Sequence, residues 1–188
     1  KTAVKEKQIQ LFEAAEDIQY LESVLSYLNN TEDAGEIEAL RTELTETGYV
    51  RKRKNRGGYK EKKYKPQPYK YTLCDGSQVL VGRNNKENDI LTLKTAGKGD
   101  LWLHTKDIPG SHVIVKTGGE ELSEKALFEA ASIAAYHSKG RTSENVPVDY
   151  VPVRYVKKPS GAKPGMVIFT NNKTLWVNPG LPENTKQN

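Results

Sequence analysis

DLWLHTKDIPGSHVIVKT, residues 100–117, carries two runs of alternating character. Leu101 and Leu103 alternate with Trp102 and His104, and Val113 and Val115 alternate with Ile114 and Lys116, which is the two-residue period of strands. Pro109 presets φ for the second position of a turn, and Gly110 supplies the positive φ that a type II turn asks of its third. The stretch therefore reads as a β-hairpin. Its turn and flanks gather Trp102, His104, Lys106, Asp107, Ser111 and His112, a density of polar and ring-bearing groups found in no other segment.

Upstream of it, Lys70 to Leu73 and Gln78 to Val81 flank Asp75-Gly76, a strong hairpin signal. Gly82-Arg83-Asn84-Asn85 then leads into a helix holding Ile90, Leu91 and Leu93, with Asn84 or Asn85 as N-cap. Downstream, a second helix runs from its N-cap Ser123 to a stop at Gly140, with Ala126, Ala130, Ala131, Ala134 and Ala135 keeping one side thin enough to lie close on a sheet. Val148 to Val156 reads as a strand whose Pro152 removes a ladder donor, which places it at an edge or a bulge. After the Lys157 to Gly165 loop, Met166 to Thr170 and Thr174 to Val177 form a last hairpin turning at Asn171-Asn172. Short connections between most strands predict an α+β domain, a mostly antiparallel sheet with two helices.

The N-terminal part is different. Val4, Leu11, Ile18 and Leu25, with Ala14, Leu21 and Leu28, make an a/d heptad seam broken at Lys7. A shorter helix, capped by Thr31 or Asp33, puts Ile37, Leu40 and Leu44 on one face and stops at Gly48. The pair predicts a coiled-coil helical hairpin whose long first member overhangs the second. The overhang calls for an upstream helix or a second copy of the chain, a homodimer.

Charge divides the chain in the same places. Of the net +5, residues 1–48 carry −7, residues 49–70 carry +9 and residues 71–188 carry +3. The boundaries predicted are a helical hairpin over 1–48, a flexible basic linker over 49–70, the α+β domain over 71–180 and a tail over 181–188. The linker has too little apolar surface to offset the entropy of ordering. No run approaches the length of a membrane-spanning helix. Cys74 is the sole cysteine, which rules out an internal disulfide and fits a reducing compartment. The chain opens at Lys1 instead of Met and reads as cut from a longer protein.

Binding chemistry is better represented than catalysis. Arg83, Lys106, Lys157, Lys158 and Lys163 can meet phosphates, as can Arg51, Lys52, Arg53, Lys54 and Arg56 in the linker, where Tyr49, Tyr59, Tyr64, Tyr69 and Tyr71 alternate with cations as nucleic-acid binding favours. Trp102, His104 and His112 can stack on or hydrogen-bond an unpaired base, with Ser111 beside them. Each has a plainer reading: Trp102 as core, His112 as a structural histidine locking the turn, Asn84, Asn85 and Asp89 as helix caps. Enzymatic readings are poorer. No Cys or carboxylate joins His104 and His112 at metal-site spacing, and Ser111 and His112 are strand neighbours on opposite faces. Gly97-Lys98-Gly99-Asp100 is no P-loop. No catalytic residue, metal or cofactor is assigned.

Four segments taken together, Gly82 to Asn85 with Asn88-Asp89, the 100–117 stretch, Tyr136-His137-Ser138-Lys139 and the Val156 to Gly165 loop, resemble the NFACT-R domain. That module closes the bacterial fibronectin-binding-like proteins and their relatives in ribosome-associated quality control. The likeness covers about residues 71–179, and the helices before it resemble the end of the family's coiled coil. It implies binding to a stalled large ribosomal subunit and to tRNA, with alanine tailing directed by the full-length protein, in the cytoplasm. The family name also implies fibronectin as a second partner and a cell-surface location without a signal peptide. Leu181 to Thr185 resembles a sortase signal only loosely, with no apolar tail after it.

Overall fold

The computed structural model describes residues 2–52 and 67–182. Six strands, β1 (Tyr69–Thr72), β2 (Gln78–Val81), β3 (Leu101–Thr105), β4 (Val113–Lys116), β5 (Val146–Pro152) and β8 (Lys173–Val177), form one antiparallel sheet in the order β1-β2-β4-β3-β5-β8. A second sheet holds two short strands, β6 (Val156–Lys157) and β7 (Ile168–Phe169). The domain is α+β, as its pattern predicts.

Alternation along the strands builds two cores. On one face Val79, Val81, Leu103, Val113, Val115, Val148 and Val177 pack under α4 (Glu124–Tyr136), whose alanines are 0–1% exposed. With alanine at five of its six buried positions, Ile133 being the sixth, the helix lies close on the sheet. On the other face Trp102, Ile114 and Val151 are covered by Leu91, Val153, Val156 and Phe169. The covering pieces are α3 (Asn85–Ile90), extended by a π-helical turn over Leu91–Thr95, and the β6–β7 pair. Ser123 and Asn84 cap α4 and α3 as expected, accepting from the backbone N–H of Ala126 and Glu87.

Several expectations are corrected. The central hairpin pairs β3 with β4, but Gly110 is not in the left-handed region, where Asp107 sits instead at φ 55°. Gly110 is needed for closeness: a Cβ there would lie 2.7 Å from Thr105 Oγ1 and 3.0 Å from Ser138 Cβ. The connection is stitched to the end of α4, Ser111 N–H donating to His137 O at 3.0 Å and Lys139 N–H to Pro109 O at 2.8 Å. Pro152 marks no edge. β5 is an interior strand between β3 and β8, and Pro152 is its last residue. The last hairpin is not one either, since β7 pairs with β6 while β8 adds to β5. α4 ends at Tyr136, ahead of Gly140.

The helical hairpin consists of α1 (Thr2–Asn30) and α2 (Ala34–Glu46), the second capped by Asp33. Its buried face is not the heptad seam. Tyr20, Val24 and Tyr27 pack with Leu40, while Val4, Leu11, Ile18 and Leu25 are 54–71% exposed and Ile37 is exposed too.

Candidate nucleic-acid interface

The hairpin is bolted to the domain at the start of α3. Tyr20 donates to Glu43 Oε1 at 2.9 Å, and Asn85 Nδ2 donates to the same oxygen at 3.0 Å and to Ser23 Oγ at 2.8 Å. Burial pushes the Glu43 carboxyl up from its ordinary range, against the pull of these donors. Tyr27 donates to Gly110 O at 3.0 Å and accepts from Asn88 Nδ2 at 2.8 Å, and Asn88 Oδ1 accepts the His112 N–H at 3.0 Å. The acidic hairpin and the basic domain thus meet through a buried polar network.

That network and the ion pairs around it hold five of the residues singled out for RNA: Arg83, Asn84, Asn85, Lys158 and Lys163. Asn84 caps α3, and Asn85 is sealed against Glu43. Arg83 pairs with Glu36 and lies 4.8 Å from the Tyr69 ring centroid. Lys158 holds both Asp89 oxygens at 2.9 and 2.8 Å and Lys163 O at 2.7 Å, and Lys163 pairs with Asp17 beside Tyr20 and Tyr49. The Lys157 to Gly165 loop is therefore anchored to α3 and α1. Gly165 belongs to the anchor, because a Cβ there would lie 2.4 Å from Asn85 Oδ1.

The base-stacking assignment to Trp102 and His112 is corrected by their burial at 1% and 2% exposure. Trp102 stacks on His104 at 5.7 Å, and meets His112 edge-on at 5.2 Å and Phe169 at 4.9 Å. His112 Nδ1 bonds Thr92 Oγ1 at 2.8 Å, and half-buried His104 bonds Gly110 O through Nε2 at 3.2 Å. Burial holds both imidazoles below their ordinary pKa, His112 far below. They are neutral interior rings. Ser111 is buried as well. Lys106 and Lys157 are exposed and make no ion pair among the described residues. Arg51 and Lys52 are exposed, whereas Arg53, Lys54 and Arg56 lie outside the described residues.

A different cluster of rings and cations opens to solvent. Where β1, the end of α4 and the α1–α2 turn meet, a groove of about 890 Å³ is lined by Tyr69, Tyr71, Arg83, Tyr136, His137 and Arg141, with Asn30, Gln67 and Lys70 on its walls. Tyr69 and Tyr71, two apart on an edge strand, point the same way. Tyr69 stacks on His137 at 5.0 Å, Tyr136 meets His137 edge-on at 5.2 Å, and Arg141 lies over Tyr136 at 4.0 Å. Tyr71 Oη and His137 Nε2 share a 2.8 Å hydrogen bond. Burial, helped by Arg141, lowers His137 to about 4, and burial raises Tyr71 to about 12, so both are neutral at pH 7. Glu36 is the acid of the groove, and Arg83 neutralises it. The signal in the sequence was the tyrosines closing the basic stretch and the Tyr136-His137 pair at a helix end.

Residues 67–171 match the family described as the NFACT protein RNA-binding domain, and residues 1–64 match its N-terminal and middle domains. The chain belongs to the NFACT family. It is 44% identical over 177 residues to the Rqc2 homolog RqcH of Bacillus subtilis, covering 94% of this chain and 30% of that protein. The RqcH of Streptococcus suis is 45% identical over 181 residues, 95% of this chain and 32% of that one. The chain thus spans about a third of the length of these NFACT relatives. Its fold matches the C-terminal part of the fibronectin/fibrinogen-binding protein from Streptococcus suis at TM-score 0.85 and 42% identity, over 95% of this chain and 70% of that one. No helix among the described residues is long and apolar enough to cross a membrane.

Proposed function

We propose that this chain is a non-catalytic, RNA-facing module of a ribosome quality control protein, acting in the cytoplasm on the large ribosomal subunit and tRNA while the longer protein directs alanine tailing. The observation that carries this reading is the groove of rings and guanidinium groups at Gln67 and Pro68, which lie near the end of the +9 stretch. Cations attract the phosphate backbone without regard to sequence, and planar groups select unpaired bases. The hairpin, fixed to α3 by Glu43, Tyr20 and Tyr27, sets the angle at which the domain is presented.

Cosedimentation with purified large subunits tests it. Six to ten phosphate contacts cost about 10³ to 10⁵ in affinity between 50 and 200 mM salt. Affinity that is flat across that range overturns the reading and favours strand addition of a protein such as fibronectin to the free edge of β8, which salt affects weakly. Lys157→Glu weakens subunit binding and leaves the unfolding midpoint in place. Lys158→Glu lowers that midpoint, because it sets a carboxylate against Asp89.

A further inference from the structure

We propose that the groove between β1 and the end of α4 seats one unpaired nucleotide of a bound RNA strand, its base stacked on the outer face of Arg141. This rests on the RNA-facing reading and adds where, and in what form, the RNA is held.

The rings are already assembled. Tyr69 lies on His137, His137 meets Tyr136 edge-on, and the Arg141 guanidinium covers Tyr136. Arg141 is exposed; its guanidinium lies over Tyr136 and donates to that residue's hydroxyl, and the rest of the side chain is accessible to a base. An arginine plane backed by a ring is a recurring support for a splayed base. The ring cluster is held from behind, Tyr71 to His137 at 2.8 Å and Ser111 N–H to the His137 carbonyl at 3.0 Å, so a base does not have to order it. With His137 neutral, no extra positive charge repels Arg141.

Size and charge agree with a nucleotide. A groove of about 890 Å³ lies in the range of roughly 300–1,000 Å³ for sites that take one small molecule. A base paired in an A-form helix keeps its faces stacked and cannot enter, so the occupant is single-stranded. Lys70 on the rim, one of the ten Lys and Arg among residues 49–70 of the sequence, supplies phosphate attraction of the kind a strand needs. Glu36, which would oppose it, is neutralised by Arg83.

The test uses the 188-residue chain and a labelled single-stranded oligoribonucleotide with one 2-aminopurine, followed by anisotropy and by 2-aminopurine quenching. Arg141→Ala should weaken binding about 5- to 150-fold and abolish the quench, the range for losing one stacked base. Arg141→Lys keeps the charge without the plane and should not restore the quench. Lys173→Ala, one charge fewer on the opposite sheet edge, should change neither signal. Unchanged affinity and quench in Arg141→Ala, with the parent chain binding, overturns the groove assignment and leaves the RNA-facing reading standing. No binding by the parent chain overturns both. Duplex RNA bound as tightly as single strand, with groove variants affecting both alike, or adenosine monophosphate competing as well as the oligomer, overturns the unpaired-strand assignment.

Discussion

Replacing Asn88 by Ala should cost this fold more than the loss of one small side chain suggests. Asn88 is 1% exposed; it donates to Tyr27 Oη at 2.8 Å and accepts from His112 N at 3.0 Å. A Cβ on Gly82 would lie 2.1 Å from Asn88 Oδ1, so the oxygen fills the space that a side chain at 82 would need. Asn88→Ala leaves the His112 N–H buried without its acceptor, worth about 1–3 kcal/mol, and removes a further bond of about 1 kcal/mol. The total is about 2–4 kcal/mol. At about 2–4 °C per kcal/mol for a chain of this size, the melting temperature should fall by roughly 5–15 °C. Thermal unfolding followed by circular dichroism measures it, and a loss under about 0.5 kcal/mol would refute the network argument. A double-mutant cycle with Tyr27→Phe isolates the shared bond. Residues in one network couple by about 0.5–3 kcal/mol, and strict additivity would mean that the hairpin is not held through Asn88.

Acid should loosen the structure before it protonates most carboxylates. Burial lowers His104 and His112, and lowers His137 to about 4 from 6.5, so the folded state binds fewer protons than the unfolded state between those values. Stability is full above about pH 6.5 and falls below it by up to about 1.4 kcal/mol per unit for each histidine, while Glu43, raised by burial, works the other way as pH falls through its folded pKa. Urea midpoints at pH 7.5 and 5.0 decide it, since an equal or higher midpoint at pH 5.0 contradicts the assignment of three neutral imidazoles. Gly110→Ala should cost about 1–3 kcal/mol from overpacking against Thr105 and Ser138, and wild-type stability would mean that the connection shifts freely away from α4.

Local chemistry carried much of the fold. Asp75-Gly76, the caps Asn84 and Ser123, and the alanine face of α4 depend on residues a few positions apart, and each forms as its residues dictate. What the sequence leaves open is the identity of distant partners. Alternation gives Trp102 and Trp176 equal claim to burial, yet Trp102 is 1% exposed beneath Phe169 and Trp176 is 59% exposed on the edge strand β8. Lysines are harder still. Lys157 and Lys158 are adjacent and chemically identical, and what separates a free cation from an anchored one is Asp89, far away in sequence. The stacking cluster was missed for the same reason, since Tyr69 and His137 meet only once the sheet edge and the end of α4 are brought together.

The heptad seam of α1 gives a prediction independent of RNA. α1 is one continuous helix from Thr2 to Asn30, but its buried residues begin at Tyr20. Before that point Val4, Leu11 and Ile18 are 61–71% exposed, a row of large apolar side chains that no described residue buries, and Ile9 and Phe12 beside them are exposed too. The stretch is roughly 27 Å long at 1.5 Å per residue, close to the length at which an isolated helix is marginal in water. We expect it to be stabilised by association of the seam, with an upstream helix in the longer protein or with a second copy in this chain alone. Hydrogen exchange should show weak protection before Tyr20 at low concentration and rising protection as sedimentation detects dimer. Leu11→Ser with Ile18→Ser should abolish the dimer at little cost to the domain, because both side chains are more than half exposed. A strict monomer at high concentration with fully protected amides from Thr2 onward would show that the helix needs no partner, and the seam would be solvated surface.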